Sequence, residues 1–125
     1  MVKVVLADDE EFVRYFLKTV VDSLSFNVVA EVEKGDELYS VMKKTNPDIL
    51  LLDVNMPNLT GMEFLKRYAR EFPKTCIIIL TSLSSFQLVE EAANKGASCF
   101  IRKDMPIEQM VPAITKTWSD FRARR

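Results

Sequence analysis

Two patterns of hydrophobic and polar residues alternate along this chain. Five short runs of mostly apolar residues predict β-strands, and five longer stretches, with apolar residues three or four positions apart, predict amphipathic helices. The predicted strands are residues 2–7, 27–32, 49–53, 75–80 and 99–101. Each predicted strand is followed by a predicted helix.

The first predicted helix is indicated by its apolar spacing, and the second and third also have recognisable ends. The first has apolar residues at helical spacing, which are Phe12, Val13, Phe16, Leu17, Val20, Val21 and Leu24. The second opens at Gly35-Asp36 and stops at Asn46-Pro47. The third covers about residues 60–71 and is closed by Pro73.

The last two predicted helices contain glycine or proline at informative positions. The fourth covers about residues 85–95 and ends at Gly96, a residue that suits a left-handed C-terminal position. The fifth has Pro106 near its start and apolar residues from Ile107 to Trp118. Pro112 lies inside it, and we expect this proline to kink the helix or to delay its start.

The third predicted strand contains no polar residue until its end. Ile49 to Leu52 are all apolar, Asp53 follows, and several turn residues come within the next ten positions. An unbroken apolar run indicates a strand buried on both faces, as in a parallel sheet. Together with the strand–helix alternation, it predicts one α/β domain over residues 1–125, with a doubly wound sheet of five parallel strands.

Length and composition exclude several classes of protein. The 125 residues suffice for one domain, and the net charge of −1 gives no general attraction to nucleic acid or anionic membrane. The apolar runs are far shorter than the ~20 residues of a membrane span, and acids come too early for a signal peptide. Cys76 and Cys99 fit reduced thiols of a cytoplasmic protein. The absence of histidine excludes histidine-based catalytic and metal sites.

Polar side chains stand at the C-terminal ends of four predicted strands. Asp8 and Asp9 follow the first, Asp53 ends the third, Thr81 follows the fourth, and Lys103 comes just after the fifth. In a parallel sheet these ends share one edge, where open α/β sheets bind ligands. Each residue alone could be a helix cap, a turn residue or a surface charge. Together they predict a single site.

The predicted site combines three carboxylates with a lysine and a hydroxyl. Clustered carboxylates raise one another's pKa, and a divalent cation removes the repulsion. Oxygen ligands without His or Cys favour Mg²⁺, or Mn²⁺, over zinc, and Mg²⁺ held this way typically also binds a phosphate oxygen. Lys103 supplies a second positive charge and Thr81 a donor for the phosphoryl oxygens. Asp53 is then placed as the nucleophile of a phosphoryl transfer.

The segments that carry these residues resemble one protein family. They are the acidic pair in VVLADDE, the aspartate in LLLDVNMPNLTGMEF, the hydroxyl in IIILTS, and the aromatic residue and lysine in GASCFIRK. Over nearly the whole chain, the sequence resembles a response-regulator receiver domain of two-component signalling. The resemblance implies a flavodoxin-like (βα)5 fold with strand order 2-1-3-4-5.

The resemblance also implies a role for each residue of the site. Asp53 would be the phosphorylation site, and Thr81 and Lys103 would contact the phosphoryl group. The implied Mg²⁺ ligands are Asp8, Asp9, Asp53 and the backbone carbonyl of Asn55. Phe100 would move inward when Thr81 is drawn towards the phosphoryl group. We expect Lys103 to lie exposed at the edge of the crevice.

The implied function is a signalling switch that catalyses only its own phosphorylation and dephosphorylation, and is not an enzyme with another substrate. A histidine kinase or phosphotransfer protein would donate the phosphoryl group in a Mg²⁺-dependent reaction. The face formed by the fourth helix, fifth strand and fifth helix would then change and control an output protein, an effector domain or a second copy in a phosphorylation-dependent dimer. We expect a cytoplasmic domain without membrane association or direct binding of nucleic acid.

One position departs from the common pattern of the family. Many members have proline after the lysine, in a cis peptide, whereas Asp104 follows Lys103 here, so we expect a trans peptide. The Lys-Asp pair resembles receivers of the nitrate-response type, which precede helix-turn-helix DNA-binding domains. The chain ends soon after the fifth predicted helix, so it is expected to be either a stand-alone receiver or one cut from a longer regulator.

Three other functions share part of this pattern. A phosphatase of the haloacid dehalogenase type uses a strand-end aspartate and Mg²⁺, but has a second acid two residues on, where this chain has Asn55. A flavodoxin-like flavin protein needs a Ser/Thr-rich phosphate loop after its first strand, where this chain has four acids. A receiver used as an unphosphorylated interaction module is favoured by an incomplete set of acids and lysine, and here the set is complete.

Overall fold

Strands and helices alternate strictly in the computed structural model, which describes residues 1–82 and 86–124, with only the backbone for residues 86–89. The strands are β1 (Lys3–Ala7), β2 (Asn27–Val32), β3 (Ile49–Asp53), β4 (Cys76–Thr81) and β5 (Cys99–Arg102). The helices are α1 (Glu11–Ser23), α2 (Gly35–Thr45), α3 (Gly61–Tyr68), α4 (Phe86–Asn94) and α5 (Ile107–Arg124), and a 3₁₀ turn, Ala69–Glu71, follows α3. Predicted and observed elements therefore agree in number and order. Ser85, the predicted start of the fourth helix, lies outside the described residues.

The five strands form one parallel sheet in the order β2-β1-β3-β4-β5. This order confirms the predicted fold class. The sheet register places Ala7 of β1 beside Leu52 of β3, and Asp53 of β3 beside Leu80 of β4. Because the strands are parallel, the residues that follow Ala7 and Leu80 lie at the same edge of the sheet as Asp53.

Both faces of the sheet are covered by helices, as the apolar β3 predicts. Alternate residues of a strand point to opposite faces. Leu50 and Leu52 belong to a core cluster that includes apolar residues of α2, α3 and α4. Ile49 and Leu51 belong to a second cluster, which includes residues of α1 and α5. All four leucine and isoleucine side chains are at most 1% exposed, so β3 is the central element of the core.

Two of the predicted helix ends have specific hydrogen bonds. Thr60 precedes α3 and forms a capping box with Glu63, in which each side chain accepts a hydrogen bond from the other residue's backbone N–H. Gly96 follows α4 with a φ of +105°, and the N–H of Ala97 donates to the carbonyl of Ala92. This is the left-handed C-terminal conformation predicted for the glycine.

One of the two outcomes expected for Pro112, a delayed start of the fifth helix, is wrong, and the other, a kink, stays a prediction. α5 begins at Ile107, so Pro112 does not delay its start; the bond that the proline cannot donate would go to the carbonyl of Glu108, within the first turn. In α1, Phe12 belongs to the apolar pattern that predicts the helix but is 81% exposed, whereas Arg14 is buried. Arg14 turns inward because it finds hydrogen-bond acceptors there, which are described below.

Candidate functional site

The candidate site lies at the C-terminal edge of the sheet, where the register brings together residues from four strands. Asp8 follows Ala7, and Ala7 pairs with Leu52, so Asp8 lies beside Asp53. Thr81 is the last residue of β4 and pairs with Arg102, the residue before Lys103. The N–H of Lys103 donates to the carbonyl of Thr81 at 2.8 Å. The sheet therefore places all the strand-end residues singled out in the sequence along one edge.

The ammonium group of Lys103 lies between the two buried aspartates. Its Nζ atom is 2.8 Å from Oδ2 of Asp8, 3.1 Å from Oδ1 of Asp53 and 3.5 Å from Oε1 of Glu10. The Lys103 side chain is only 15% exposed, so the expectation of an exposed lysine is wrong. The two aspartates draw it inward, since a buried pair of like charges requires a nearby countercharge.

The pKa of the Asp53 carboxyl group is raised above its ordinary value. Burial, followed by the negative charge of Asp8, raises the pKa of Asp53 from 3.8 to about 6, although the N–H of Asn55 and the ammonium of Lys103 act in the opposite direction. The N–H of Asn55 donates to Oδ1 of Asp53 at 3.2 Å. Burial lowers the pKa of Lys103, but the carboxylates of Asp8 and Asp53 outweigh it and leave that pKa raised. At neutral pH both groups are charged.

The acidic residues after β1 fit a divalent cation. Asp8, Asp9 and Glu10 each offer a carboxylate oxygen, and these oxygens lie within 4.8 Å of one another. Oδ2 of Asp8 is fully buried and has no hydrogen bond of acceptable geometry among the described residues, although it lies close to Lys103. Oxygen ligands of this kind suit Mg²⁺ or Mn²⁺. Asp9 and Glu10 are exposed, so solvent reaches the cluster from one side.

The loop after β3 is held close to Asp53. The N–H of Gly61 donates to the carbonyl of Val54, and a Cβ atom at Gly61 would lie 2.3 Å from the carbonyl oxygen of Asp53. The middle of the loop bonds to the start of α2, where the N–H of Gly35 donates to the carbonyl of Pro57. These contacts fix the path of the segment that carries Asn55, whose backbone carbonyl is the expected fourth ligand.

The two residues expected to transmit a signal lie on one face of the sheet. Thr81 is 1% exposed at the end of β4. Phe100 pairs with Ile79, two residues before Thr81, so the three side chains point to the same face. Phe100 is partly buried and packs against the core cluster that includes Ala92 of α4. This position agrees with the expected location beside the fourth helix and fifth strand.

Two residues of the site were missed in the sequence. Glu10 lies next to the acidic pair and close to Lys103, and its position within the run of four acids could have indicated it. Arg14 contacts the backbone of Asp8 from α1. Its signal was a basic residue on the helix face that carries Leu17 and Val21, both of which are buried. Such a residue needs buried acceptors, and only the folded sheet reveals which ones.

The described residues contain no cis peptide bond, which confirms the trans peptide expected between Lys103 and Asp104. Among the helices of the described part of the chain, none has both the length and the apolar character needed to cross a bilayer.

Comparison with known protein families agrees with this geometry. Residues 4–115 match the response regulator receiver domain family. The chain belongs to this family. Receiver domains are signalling switches and are generally not classed as enzymes, and they generally bind Mg²⁺ at an acidic pocket. The predicted resemblance is therefore confirmed at the level of the family.

Similar proteins include both short and long regulators. The chain is 33% identical to the chemotaxis protein CheY of Listeria monocytogenes over 93% of its own length and 98% of that protein. It is 37% identical to the uncharacterized transcriptional regulatory protein YhcZ of Bacillus subtilis, covering 87% of this chain but only 51% of YhcZ. The chain thus spans nearly all of one relative and about half of the other.

A solved structure with the same fold is a complex that contains BeF3 and Mg²⁺. The crystal structure of a CheX–CheY–BeF3–Mg²⁺ complex from Borrelia burgdorferi superposes with a TM-score of 0.88 at 26% identity, covering 94% of this chain and 89% of that one. The fold class is confirmed by this likeness as well as by the strand order.

Proposed function

We propose that this domain is a phosphoacceptor switch in which Asp53 receives a phosphoryl group from a histidine kinase or phosphotransfer protein. The observation that supports the proposal most directly is the placement of Asp53. Its carboxylate is almost fully buried at the end of the central strand, 3.1 Å from Lys103 and beside the acidic residues that follow β1. A buried nucleophile with a fixed cation next to it is what phosphoryl transfer requires, because positioning and neutralisation of charge provide most of the catalysis.

In the proposed reaction, an oxygen of the Asp53 carboxylate attacks the phosphorus atom of the donor. The bond from phosphorus to the donor's histidine nitrogen breaks, and the nitrogen keeps the electron pair. Asp53 becomes an acyl phosphate, which water later hydrolyses to restore the carboxylate and release phosphate. The domain thus catalyses only its own phosphorylation and dephosphorylation.

The residues around Asp53 have separate parts in this proposal. Lys103 neutralises the charge that accumulates on the phosphoryl oxygens, and Thr81 contacts one of them with its hydroxyl group. Asp8, Asp9, Asp53 and the carbonyl of Asn55 are the proposed ligands of a Mg²⁺ ion, for which Mn²⁺ could substitute. When bound, the ion supplies positive charge to the transferring phosphoryl group. Glu10 is close enough to Asp8 and Asp9 to hold a water of that ion.

A protein donor must contact the surface around the site, and one part of that surface is apolar. A groove of about 340 Å³ lies between α1 and the loop after β5, lined by Phe12, Val13, Phe16, Lys103, Asp104, Met105 and Pro106. Since Lys103 belongs both to this groove and to the phosphoacceptor site, a donor that brings its phosphohistidine to Asp53 covers the groove. The highly exposed Phe12 is then a natural anchor for the donor.

The proposed output surface is the face formed by α4, β5 and α5. When Thr81 is drawn towards the phosphoryl group, space opens beside β5, and Phe100 moves into it. The changed face then binds an output protein, an effector domain or a second copy of the chain. CheY and YhcZ, which differ in the share of their length that this chain covers, illustrate both arrangements, a receiver alone and a receiver with further sequence.

We also propose that residues 1–125 form one domain in the cytoplasm, where histidine kinases present their phosphohistidine. Direct binding of nucleic acid and of membranes is not part of the proposed function, in keeping with the net charge of −1.

The test uses a small phosphodonor and intact mass. The wild-type domain should gain one phosphoryl group from acetyl phosphate in the presence of Mg²⁺ and lose this gain in excess EDTA. Asp53→Asn should gain none under the same conditions. Equal phosphorylation of the Asn variant would show that another residue is the acceptor, and a wild-type domain that gains no mass would refute the phosphoacceptor function.

A further inference from the structure

Arg14 is a buried basic residue that connects three parts of the chain. Its side chain lies between α1, the end of β2 and the acidic residues after β1, and only 7% of the residue is exposed. Nη1 donates to the backbone carbonyl of Asp8 at 2.7 Å, in a fully buried hydrogen bond. Nε donates to Glu31 at 3.0 Å, and Nη2 to Glu33 at 3.2 Å. The guanidinium group thus makes a separate bond in each of three directions.

The bond to the carbonyl of Asp8 completes a set of contacts that fixes the acidic residues. On its other side, the N–H of Asp8 donates to the carbonyl of Val32 at 3.0 Å. Oδ1 of Asp8 accepts a hydrogen bond from the N–H of Glu10, and the carbonyl of Glu10 accepts one from the N–H of Arg14. The peptide that leads from Asp8 to Asp9 is therefore held at its carbonyl only by Arg14 among the described contacts.

Glu31 and Glu33 orient the guanidinium for this purpose. Glu31 lies in β2 and Glu33 just after it, and Glu31 also pairs with Lys18 of α1 at 2.6 Å. Burial raises the pKa of Glu31, but the hydrogen bonds from Lys18 and Arg14 outweigh it and leave that pKa lowered, so Glu31 is a carboxylate at neutral pH. A planar guanidinium can bond to two carboxylates and a carbonyl at once, which a lysine ammonium on a flexible stem does poorly.

We propose that Arg14 is a positioning residue, which sets the direction of the Asp8 and Asp9 carboxylates for a divalent cation through the backbone of Asp8. The inference rests on the proposed metal site at these residues and adds a residue that does not touch the metal. Contacts that orient the ligands of a metal site typically change its affinity by 10–100-fold when removed.

The direction of the effect separates positioning from simple electrostatics. A positive charge near the cluster repels a divalent cation, so removal of the Arg14 charge would by itself tighten Mg²⁺ binding. The loss of Arg14 also removes a positive charge from beside Glu31 and Glu33, and their negative charge then adds to the attraction between the site and Mg²⁺. Loss of positioning instead weakens Mg²⁺ binding, because the carbonyl of Asp8 is then unbonded and the Asp8 and Asp9 carboxylates are free to turn.

The experiment measures the Mg²⁺ dissociation constant by calorimetry in wild type, Arg14→Met, Arg14→Lys and Lys18→Met. We expect Arg14→Met to weaken Mg²⁺ binding about tenfold or more, and Arg14→Lys to weaken it as well, although it keeps the charge. Lys18→Met is the matched control, since Lys18 pairs with the same Glu31 but makes no contact with Asp8, and it should bind Mg²⁺ like wild type or slightly more tightly.

Melting in EDTA verifies that each variant is folded before calorimetry. A folded Arg14→Met that binds Mg²⁺ as tightly as wild type, or more tightly, overturns the inference. If Arg14→Met does not fold, Arg14→Lys decides in the same way, because wild-type affinity there means that the bonds of the guanidinium group are not needed for Mg²⁺ binding. A wild-type domain that binds no Mg²⁺ refutes the metal site itself and this inference with it, whereas intact binding in the Arg14 variants refutes only the role of Arg14.

Discussion

Asp8 and Asp53 share a single ammonium group, because Nζ of Lys103 lies 2.8 Å from one carboxylate and 3.1 Å from the other. Both aspartates are buried, at 0% and 2% exposure. Two buried carboxylates with one cation carry an excess of negative charge. Burial, and after it the charge of Asp8, raises the pKa of Asp53. The excess of negative charge makes the site unstable by itself but suited to receive further positive charge.

The first prediction concerns stability without metal. The pKa of Asp53 is about 6 in the folded protein against an ordinary value of 3.8, so the folded state binds more protons than the unfolded state between these values. Stability must then fall as pH rises through this window and stay low above it. Asp53→Asn removes the charge and should raise the free energy of unfolding at pH 7 in EDTA by up to about 3 kcal/mol.

The measurement is urea denaturation at a series of pH values. The advantage of Asp53→Asn over wild type should be largest above pH 6 and shrink towards pH 4. Asp22→Asn, on an exposed position of α1, is the control for loss of a surface charge and should show no such trend. A wild-type protein as stable as the Asn variant at pH 7 would contradict the excess of negative charge.

The second prediction concerns Lys103. Because its side chain is mostly buried between carboxylates, Lys103→Ala leaves Asp8 and Asp53 without their shared cation. The variant should lose about 2–3 kcal/mol of stability in EDTA, and saturating Mg²⁺ should restore a large part of it by replacing the lost positive charge. Phosphorylation by acetyl phosphate should remain slow even with Mg²⁺.

Thermal melting with EDTA and with Mg²⁺ measures both effects. Lys66→Ala, which removes an exposed lysine of α3, should melt like wild type in both conditions. A Lys103→Ala protein that melts like wild type in EDTA would mean that the ion pairs add nothing to the stability of the fold.

The strands and the residues at their ends were predictable because the relevant signals are local. An apolar run such as 49–52 indicates a buried strand by itself, and a polar residue at the end of that strand lies at the edge of the sheet. A parallel sheet then brings such ends together whatever the detailed packing. For this reason Asp8, Asp53, Thr81 and Lys103 could be grouped from the sequence.

The orientation of α1 and the burial of Lys103 were not predictable in the same way. Hydrophobicity alone suggests a buried Phe12 and an exposed Arg14, but the reverse is observed. Arg14 is buried because it bonds to a carbonyl after β1 and to carboxylates at the end of β2. Those acceptors come from other segments of the chain. Lys103 is likewise buried by residues 95 and 50 positions away in sequence, and only the sheet register puts them beside it.

The third prediction tests the metal ligands. Asp9 is exposed and belongs to the cluster with Asp8 and Glu10, so Asp9→Ala should weaken Mg²⁺ binding severely while the fold remains intact. Calorimetry gives the dissociation constant, and melting in EDTA checks the fold. Glu11 is the first acid after this cluster and does not belong to it, so Glu11→Ala should bind Mg²⁺ nearly as well as wild type. Equal affinity of the Asp9 variant and wild type would rule out the site.

The fourth prediction separates a protein donor from a small one. Phe12 is 81% exposed and lines the groove next to Lys103, whereas Tyr15 is 71% exposed on the same helix and does not line the groove. Phe12→Ala should slow phosphoryl transfer from a kinase or phosphotransfer protein about tenfold or more, as expected for loss of an aromatic anchor. Its reaction with acetyl phosphate should stay at the wild-type rate, because Asp53 is untouched.

Tyr15→Ala serves as the matched control and should react with both donors like wild type. The cognate donor protein carries a labelled phosphoryl group on its histidine, and the rate of phosphoryl transfer is measured as the rate at which the label appears on the receiver. If Phe12→Ala loses the same fraction of its rate with both donors, the residue supports the site and does not bind the donor. If it loses nothing with the protein donor, the groove is not the docking surface.

The last prediction concerns the path of the signal from Asp53 to the α4–β5–α5 face. Thr81 and Phe100 project to the same face of the sheet from neighbouring strands, so displacement of one side chain changes the space available to the other. Phe100 is partly buried against the cluster that includes Ala92 of α4, and it has no polar group that would hold it at the surface.

Beryllofluoride with Mg²⁺ should therefore shift the amide signals of Phe100 and of α4 as well as those of the loops around Asp8, Asp53 and Lys103. In Thr81→Ala the loops should still respond, because the Asp53 carboxylate and Lys103 remain, but the shifts at Phe100 and α4 should largely disappear. Two conformations that differ in the Phe100 rotamer and are biased by the phosphoryl group account for this pattern. Shifts confined to the loops in wild type, or unchanged shifts at Phe100 in Thr81→Ala, would show that this pair of residues does not carry the signal.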